Sequence, residues 1–153
     1  MIIGVALSSL LNDVIRFSQK EENIKVNALE IVKKAYIYLG EKDISNYFYL
    51  MSPNVEFYQT EELPWGGQYC GFDQIKVFFS KIFPLIDSSV EISHYIQAGA
   101  QIVAIGKTSG VAKLTGKKFS CNLAHIWTIK EEKIVRLEVY IDAYVMNAAL
   151  TST

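Results

Sequence analysis

The stretch KFSCNLAHIWTIKEEKIVRLEVYIDAYVMNAAL, residues 118–150, decides the fold. Side chains alternate with period two in the runs 119–129 and 133–142, and the polar pair Glu131-Glu132 separates the runs. Such alternation is typical of β-strands, and a two-residue polar connection predicts a hairpin.

With Lys130 opposite Lys133, His125 lies opposite Glu138 and Cys121 lies opposite Asp142. This register divides the hairpin into two faces, and a slip by one residue would exchange faces along a strand. The first face holds Cys121, Leu123, His125, Trp127, Arg136, Glu138, Tyr140 and Asp142, and the second holds Asn122, Ala124, Ile126, Thr128, Val135, Leu137, Val139 and Ile141.

The preceding run, residues 101–113, predicts a third strand, joined to the hairpin by a turn at residues 114–117. Pairing Lys113 with Lys118 adds small residues to the face of His125, which leaves room for a pocket in front of polar side chains. These small residues are Ala104, Gly106, Thr108, Gly110 and Ala112. Glycines in a strand also mark bulges or bends, and both interpretations stay open.

Composition narrows the class of protein. The chain has 153 residues, of which half are hydrophobic and a fifth charged, which indicates one globular domain. The net charge of −1 without a basic block argues against a nucleic-acid partner. Two cysteines at unrelated positions favour free thiols in the cytoplasm, and two histidines exclude a histidine-rich metal site. We expect no cofactor.

The first residues, MIIGVALSSLL, are apolar but too short to cross a bilayer, so no membrane partner is expected. The spacing of their apolar residues predicts an amphipathic helix, followed by a polar linker at residues 18–25. A signal-peptide core is the alternative, although a cationic segment and a clear cleavage site are missing. Residues 1–26 are therefore predicted to form an extension, most of it helical, before the main domain.

The chain from Asn27 onward alternates helix and strand signals before the sheet begins. Helices segregated from an antiparallel sheet indicate the α+β class. The predicted elements are a helix that Asn27 caps and Gly40 ends, a short helix that Asp43 caps and Pro53 limits, a strand at 55–60, a loop at 63–71, a helix from Asp73 to Phe83 and a strand at 90–97.

Two motifs resemble those of SnoaL-like proteins related to ketosteroid isomerase. The first is LPWGGQYCGFD at 63–73 followed by Phe78-Phe79, and the second is AHIWTI at 124–129 followed by KIVR and YID. The resemblance covers about residues 27–150 and implies a domain at 27–153. It implies a cone-shaped, curved antiparallel sheet of the nuclear-transport-factor-like, cystatin-like type. Such a sheet wraps around N-terminal helices and one central pocket, and homodimers are common.

The resemblance also implies site residues. Asp142 matches an aspartate on the final strand that often acts as acid/base in this family, and His125 matches a histidine that often lines the cavity. The steroid isomerase uses an aspartate base on its first strand, and the matching stretch here, residues 54–58, has none, which makes that reaction doubtful. The catalytic candidates are Asp142, His125 and Tyr140, and the ligand-binding candidates are Trp65, Tyr69, Tyr58, Tyr36, Trp127 and Glu138.

Each candidate has a structural alternative. Asp142 could cap a helix at residues 143–150, His125 could be a core histidine bonded to Glu138, and strand aromatics usually serve packing. The predicted function is an acid/base enzyme of the isomerase, cyclase, hydrolase or lyase type, acting on a small, largely apolar molecule. The alternatives are a non-catalytic binder or carrier of a hydrophobic ligand, and a dimeric scaffold module.

Overall fold

The computed structural model describes residues 2–152, with the side chains of 7–20 and 27–152. The described chain forms four helices and six strands. The helices are α1 (Ile2–Gly40), α2 (Ile44–Tyr49), α3 (Gly71–Ile82) and α4 (Ala143–Leu150). The strands are β1 (Met51–Gln59), β2 (Gly67–Cys70), β3 (Ile86–Ala98), β4 (Gln101–Ala112), β5 (Lys118–Lys130) and β6 (Lys133–Ile141).

All six strands form one curved, unclosed sheet in the order β2-β1-β6-β5-β4-β3. Neighbouring strands are antiparallel except β1 and β6, which pair in parallel. Helices lie against one face of this sheet, and the predicted α+β cone is therefore confirmed. The short strand β2 lies within the stretch predicted to be a loop, and β1 begins before its predicted start and contains Pro53.

The predicted β5–β6 hairpin is present, with Lys130 opposite Lys133. Glu131 and Glu132 both adopt the left-handed conformation, at φ 52° and 61°. Two positive-φ residues in a two-residue loop match the twist of the flanking strands, which is why Asn-Gly is usual there. Both glutamates therefore hold a conformation that costs a residue with a side chain about 1–2 kcal/mol.

A β-bulge in β6 makes the predicted register wrong beyond the first two pairs. Ile129 pairs with Ile134, but Thr128 pairs with Arg136, so Val135 is an extra residue on β6. A two-residue turn does not reveal a bulge further along the strand, and one added residue exchanges the two faces of everything after it.

The consequence is that His125 faces Val139, not Glu138. Leu137, Val139 and Ile141 were predicted on the outer face, but they lie on the inner face with His125. Arg136, Glu138 and Tyr140 were predicted beside His125, but they lie on the outer face, opposite Thr128, Ile126 and Ala124. The outer face therefore lacks three large apolar side chains that the predicted register placed there.

The β4–β5 register differs from the prediction by two residues, because the connecting turn is longer. Ala104 pairs with His125, and Gly106 pairs with Leu123. A shift by two preserves the faces, so the inner face of β4 is as predicted. The glycines mark a bend, since a Cβ atom on Gly106 or Gly110 would collide with the carbonyl oxygen of Glu91 or Asp87 on β3. That space holds backbone, so the expected void lies elsewhere.

Helix α1 runs unbroken through the stretch predicted as a linker, and Asn27 is not its cap. From Ala28 onward one side of the helix, with Val32 and Ala35, is buried in the core. Asp43 caps α2 as predicted, since its carboxylate accepts a hydrogen bond from the Asn46 backbone N–H. The division into an extension and a domain at residue 26 stays a prediction.

We expect the double change Glu131→Asn, Glu132→Gly to raise the free energy of unfolding by about 1 kcal/mol, because asparagine and glycine tolerate positive φ better than glutamate does. Denaturant unfolding followed by circular dichroism measures this effect. Lys130→Gly is the matched control, since Lys130 has negative φ, and it should lower stability. No gain from the double change would contradict the assigned turn.

Candidate functional site

A cavity of about 450 Å³ lies between the inner face of the sheet and helices α1, α3 and α4. Its exposed lining residues come from the ends of α1, α3 and β4 and from the start of β3, so the cavity opens there. Lys42, Asp87 and Lys113 are the charged residues of the lining, and all three are exposed. The interior is largely apolar and aromatic, with Phe57, Trp65, Phe78, Leu123, Trp127, Leu137, Val139, Ile141 and Met146 among its walls.

Inside the cavity, the hydroxyl of Tyr36 joins two side chains of β5. Its oxygen lies 2.8 Å from Nδ1 of His125 and 2.9 Å from Nε1 of Trp127. The Tyr36 and His125 rings stack with centroids 5.8 Å apart, and the Trp127 ring meets Tyr36 edge-on. Tyr36 therefore connects helix α1 to the centre of the sheet.

The hydrogen-bond inventory fixes one role in this network, and the tautomer of His125 decides the other. Trp127 can only donate, so the Tyr36 oxygen accepts from it. With the imidazole proton on Nε2, Nδ1 accepts the Tyr36 proton and His125 offers an N–H donor on its other side. No described residue accepts a hydrogen bond from Nε2, and His125 lines the cavity.

Burial keeps both titratable members of the network uncharged. Desolvation lowers the pKa of His125 to about 4, so the imidazole is neutral at physiological pH. Desolvation also raises the pKa of the Tyr36 hydroxyl well above its ordinary value, although the Trp127 hydrogen bond opposes this effect. The network therefore presents hydrogen-bonding groups without net charge.

The buried polar residues of the described chain all lie in this one place. Gln59, Thr108 and His125 are between 3% and 7% exposed, and all three line the cavity. The side chains of Gln59 and Thr108 have no hydrogen-bond partner in the described chain. No fully buried side-chain polar atom there lacks a partner, so these unpaired groups are accessible from the cavity. Accessible polar groups without a partner in the described chain are free to hydrogen-bond a molecule in the cavity.

Sequence reasoning missed Gln59, although a signal was present. Val55, Phe57 and Gln59 follow the period-two alternation of one strand face, and all three are buried. A glutamine at the third position of such a buried row indicates a polar group directed inward. Tyr47, whose burial raises the pKa of its hydroxyl, also lines the cavity and was likewise not singled out.

Of the predicted site residues, the structure brings four to the cavity: His125, Tyr36, Trp127 and Trp65. Trp65 lies in the loop before β2, and its indole forms part of the wall. Tyr69 does not line the cavity. Its hydroxyl donates to the Trp65 carbonyl oxygen at 2.9 Å, so it holds the loop that carries Trp65.

Asp142 lies outside the cavity, contrary to the prediction. The bulge leaves it beyond the last strand pair, where its backbone N–H bonds the Asn122 carbonyl oxygen. Its exposed carboxylate accepts a hydrogen bond of 3.2 Å from the Val145 backbone N–H and caps α4. The structural alternative, a helix cap, therefore describes its position.

Tyr140, Glu138 and Tyr58 also lie outside the cavity, on the outer face of the sheet. The Tyr140 hydroxyl donates to Glu138, and the Tyr58 and Tyr140 rings pack 5.5 Å apart. Arg136 adds ion pairs to Glu56 and Glu138. These residues form a polar surface cluster, and the bulge is the reason that Arg136, Glu138 and Tyr140 do not face His125.

The remaining features limit the chemistry that the described residues offer. No group of three or more His, Cys, Asp or Glu side chains in the described chain could hold a metal ion. Cys121 is buried. Desolvation, and to a smaller extent the charge of Asp142, raises the pKa of its thiol, which opposes a nucleophilic role.

None of the helices of residues 2–152 is long and apolar enough to cross a membrane.

The lowered pKa of His125 predicts a stability change in acid. The unfolded chain binds a proton near pH 6.5 and the folded chain only near pH 4, so unfolding takes up a proton between these values. The free energy of unfolding should fall by about 3 kcal/mol as the pH drops through this window. Above the window, the contribution of the neutral His125 to stability is fully present. Denaturant titrations of wild type and His125→Gln should diverge over that range. Parallel pH profiles would contradict the buried neutral imidazole.

The comparisons agree with this geometry. The family profile of the SnoaL-like domain matches residues 32–137. An NTF2-like protein from Burkholderia thailandensis E264 is 25% identical, with a TM-score of 0.76 over 81% of this chain and 97% of its own. TerC, crystallised with polyporic acid, is 22% identical with a TM-score of 0.75 over 81% and 98%.

A candidate SnoaL-like polyketide cyclase from Jannaschia sp. CCS1 is 13% identical, with a TM-score of 0.73 over 85% of this chain and 95% of its own. No curated protein matches the chain significantly. The profile spans more than half of the chain and includes strand β5, which carries His125 and Trp127, so the chain belongs to the SnoaL-like family of NTF2-like proteins.

Proposed function

We propose that this chain binds a small, largely apolar molecule that carries a hydrogen-bond acceptor such as a carbonyl oxygen. The observation that carries the proposal is that Gln59, Thr108 and His125, the buried polar residues of the described chain, all line one cavity. A volume of about 450 Å³ falls within the range of small-molecule pockets, roughly 300–1,000 Å³.

The walls and the polar groups have separate roles in the proposal. The apolar and aromatic walls supply affinity by burying the ligand surface. The His125 Nε2–H, left available by the Tyr36 bond, donates to the ligand oxygen and fixes its orientation. The co-crystallisation of TerC with polyporic acid supports a small-molecule role for a cavity of this fold.

An enzyme is the second candidate, and the neutral state of His125 favours it. A neutral imidazole can polarise a carbonyl, as in triosephosphate isomerase, and thereby make a neighbouring carbon acidic. No carboxylate lines the interior of the cavity among the described residues, since Asp87 is exposed at its opening. Asp142 is not part of this proposal, because its carboxylate caps α4.

We also propose a homodimer and a cytoplasmic location. Apolar side chains on the outer face of the sheet, such as Ile105 and Ile126, support a partner. Helix α1 carries a second exposed apolar surface, which is larger than the one on the sheet. The free thiols Cys70 and Cys121 support a reducing compartment.

The affinities of anthrone, which has a carbonyl oxygen, and of 9,10-dihydroanthracene, which lacks it, test the proposed ligand class. The two tryptophans of the chain, Trp65 and Trp127, both line the cavity, so their fluorescence reports its occupation. We expect both compounds to quench this fluorescence and anthrone to bind roughly 5- to 10-fold more tightly, the effect of one neutral hydrogen bond.

His125→Leu should remove the preference for anthrone, whereas Tyr140→Phe on the outer face should keep it. Absence of quenching would refute the pocket, and equal affinities in the wild type would refute the polar anchor. Exchange of the anthrone methylene protons in D2O separates the two candidates. A binder leaves the rate unchanged, and an enzyme accelerates it in a manner that His125→Leu abolishes.

A further inference from the structure

The N-terminal half of helix α1 presents a surface that no part of the described chain covers. Every residue from Leu7 to Lys20 is exposed. Six of these residues are large and apolar, and between 46% and 66% of each is exposed. They are Leu7, Leu10, Leu11, Val14, Ile15 and Phe17.

The six side chains lie on one side of the helix. Leu7, Leu10, Val14 and Phe17 follow spacings of three, four and three residues, which is the seam of a helix that packs against another helix. Leu11 and Ile15 widen this seam into a stripe. The opposite side carries polar residues, namely Ser8, Ser9, Asn12, Asp13, Arg16, Gln19 and Lys20.

The area of the stripe is that of half an interface. Six large side chains at this exposure present on the order of 600 Å² of surface, which reaches the upper limit of apolar patches on monomers. Two such stripes packed together would bury on the order of 1,200 Å², enough for a specific protein–protein interface. A stripe that packs on its own copy is self-complementary about a two-fold axis.

The charges on the polar side favour a protein partner over a lipid surface. Helices that bind anionic membranes carry many lysines and arginines on the polar side. Here Arg16 and Lys20 are accompanied by Asp13, and the sequence continues with Glu21 and Glu22. The segment thus has no excess of positive charge to attract a membrane.

We propose that the apolar stripe of residues 7–17 is the surface through which a second copy of this chain docks, stripe against stripe. This inference rests on the proposed homodimer and is independent of the ligand pocket. The part of α1 from Ala28 onward packs in the core of its own subunit. The same helix therefore serves the core at one end and the interface at the other.

Sedimentation of the full chain at low micromolar concentration tests the proposal. The wild type should have twice the chain mass of 17.3 kDa. The double change Leu10→Asp, Val14→Asp should raise the dimer dissociation constant roughly 100-fold or more, since four buried apolar side chains are lost per dimer. Ser9→Asp with Asn12→Asp is the matched control, because it adds the same charge to the polar side, and it should leave the dimer intact.

Three results would overturn the inference. A monomeric wild type would refute the homodimer and the stripe together. A dimer that survives the stripe variant but dissociates with Ile126→Lys would keep the homodimer and place its interface on the sheet. A monomer that co-sediments with vesicles of anionic phospholipid through the stripe would make the partner a membrane. Trp65 and Trp127 fluorescence shows whether each variant keeps its cavity.

Discussion

The hydroxyl of Tyr36 is the one group on which the arrangement of the site depends. It accepts from Trp127 and hydrogen-bonds Nδ1 of His125, so it ties helix α1 to the middle of β5 across the interior of the fold. The bond to Nδ1 also bears on what the cavity offers a ligand, because the proposed donation from Tyr36 to Nδ1 requires the imidazole proton to be on Nε2. One side chain on a helix thereby sets both the packing of α1 on the sheet and the polarity of the pocket.

Under the proposed function, a cavity built in this way would discriminate between ligands by hydrogen bonding without charge. Its deep polar groups are neutral, since burial keeps the imidazole of His125 uncharged and raises the pKa values of the Tyr36 and Tyr47 hydroxyls. A charged ligand group there would lose its hydration without gaining a counter-charge, which is unfavourable in an apolar interior. Among the described residues of the lining, the charged ones are Lys42, Asp87 and Lys113, and they lie at the exposed opening. For the proposed ligand, this geometry favours an uncharged body with an oxygen directed at His125.

Much of the fold could be predicted from the sequence, because period-two alternation and capping residues act locally. The hairpin turn, the cap at Asp43 and the α+β class all follow from such signals. The unbroken α1 and the parallel pairing of β1 with β6 could not be predicted, since they depend on contacts between distant segments.

The site was predictable only in part, and Val135 accounts for the errors on β6. Because this residue is extra in β6, Tyr140 and Glu138 turn outward and Leu137 and Val139 turn into the cavity. His125 and Trp127 precede the bulge in sequence and lie on the strand without an extra residue, so they lie on the predicted face and line the cavity. Residues beyond an unrecognised bulge are assigned to the wrong face, and the predicted register placed Asp142 on the face of His125 for this reason.

The tautomer of His125 tests the account most directly. Long-range ¹H–¹⁵N correlation spectroscopy of the uniformly labelled chain at neutral pH distinguishes a protonated from an unprotonated ring nitrogen. The account predicts a neutral ring with the proton on Nε2 and a free Nδ1, and it predicts that Tyr36→Phe removes this fixed preference. A protonated Nδ1, or a doubly protonated ring at neutral pH, would contradict the donor that the proposed function requires.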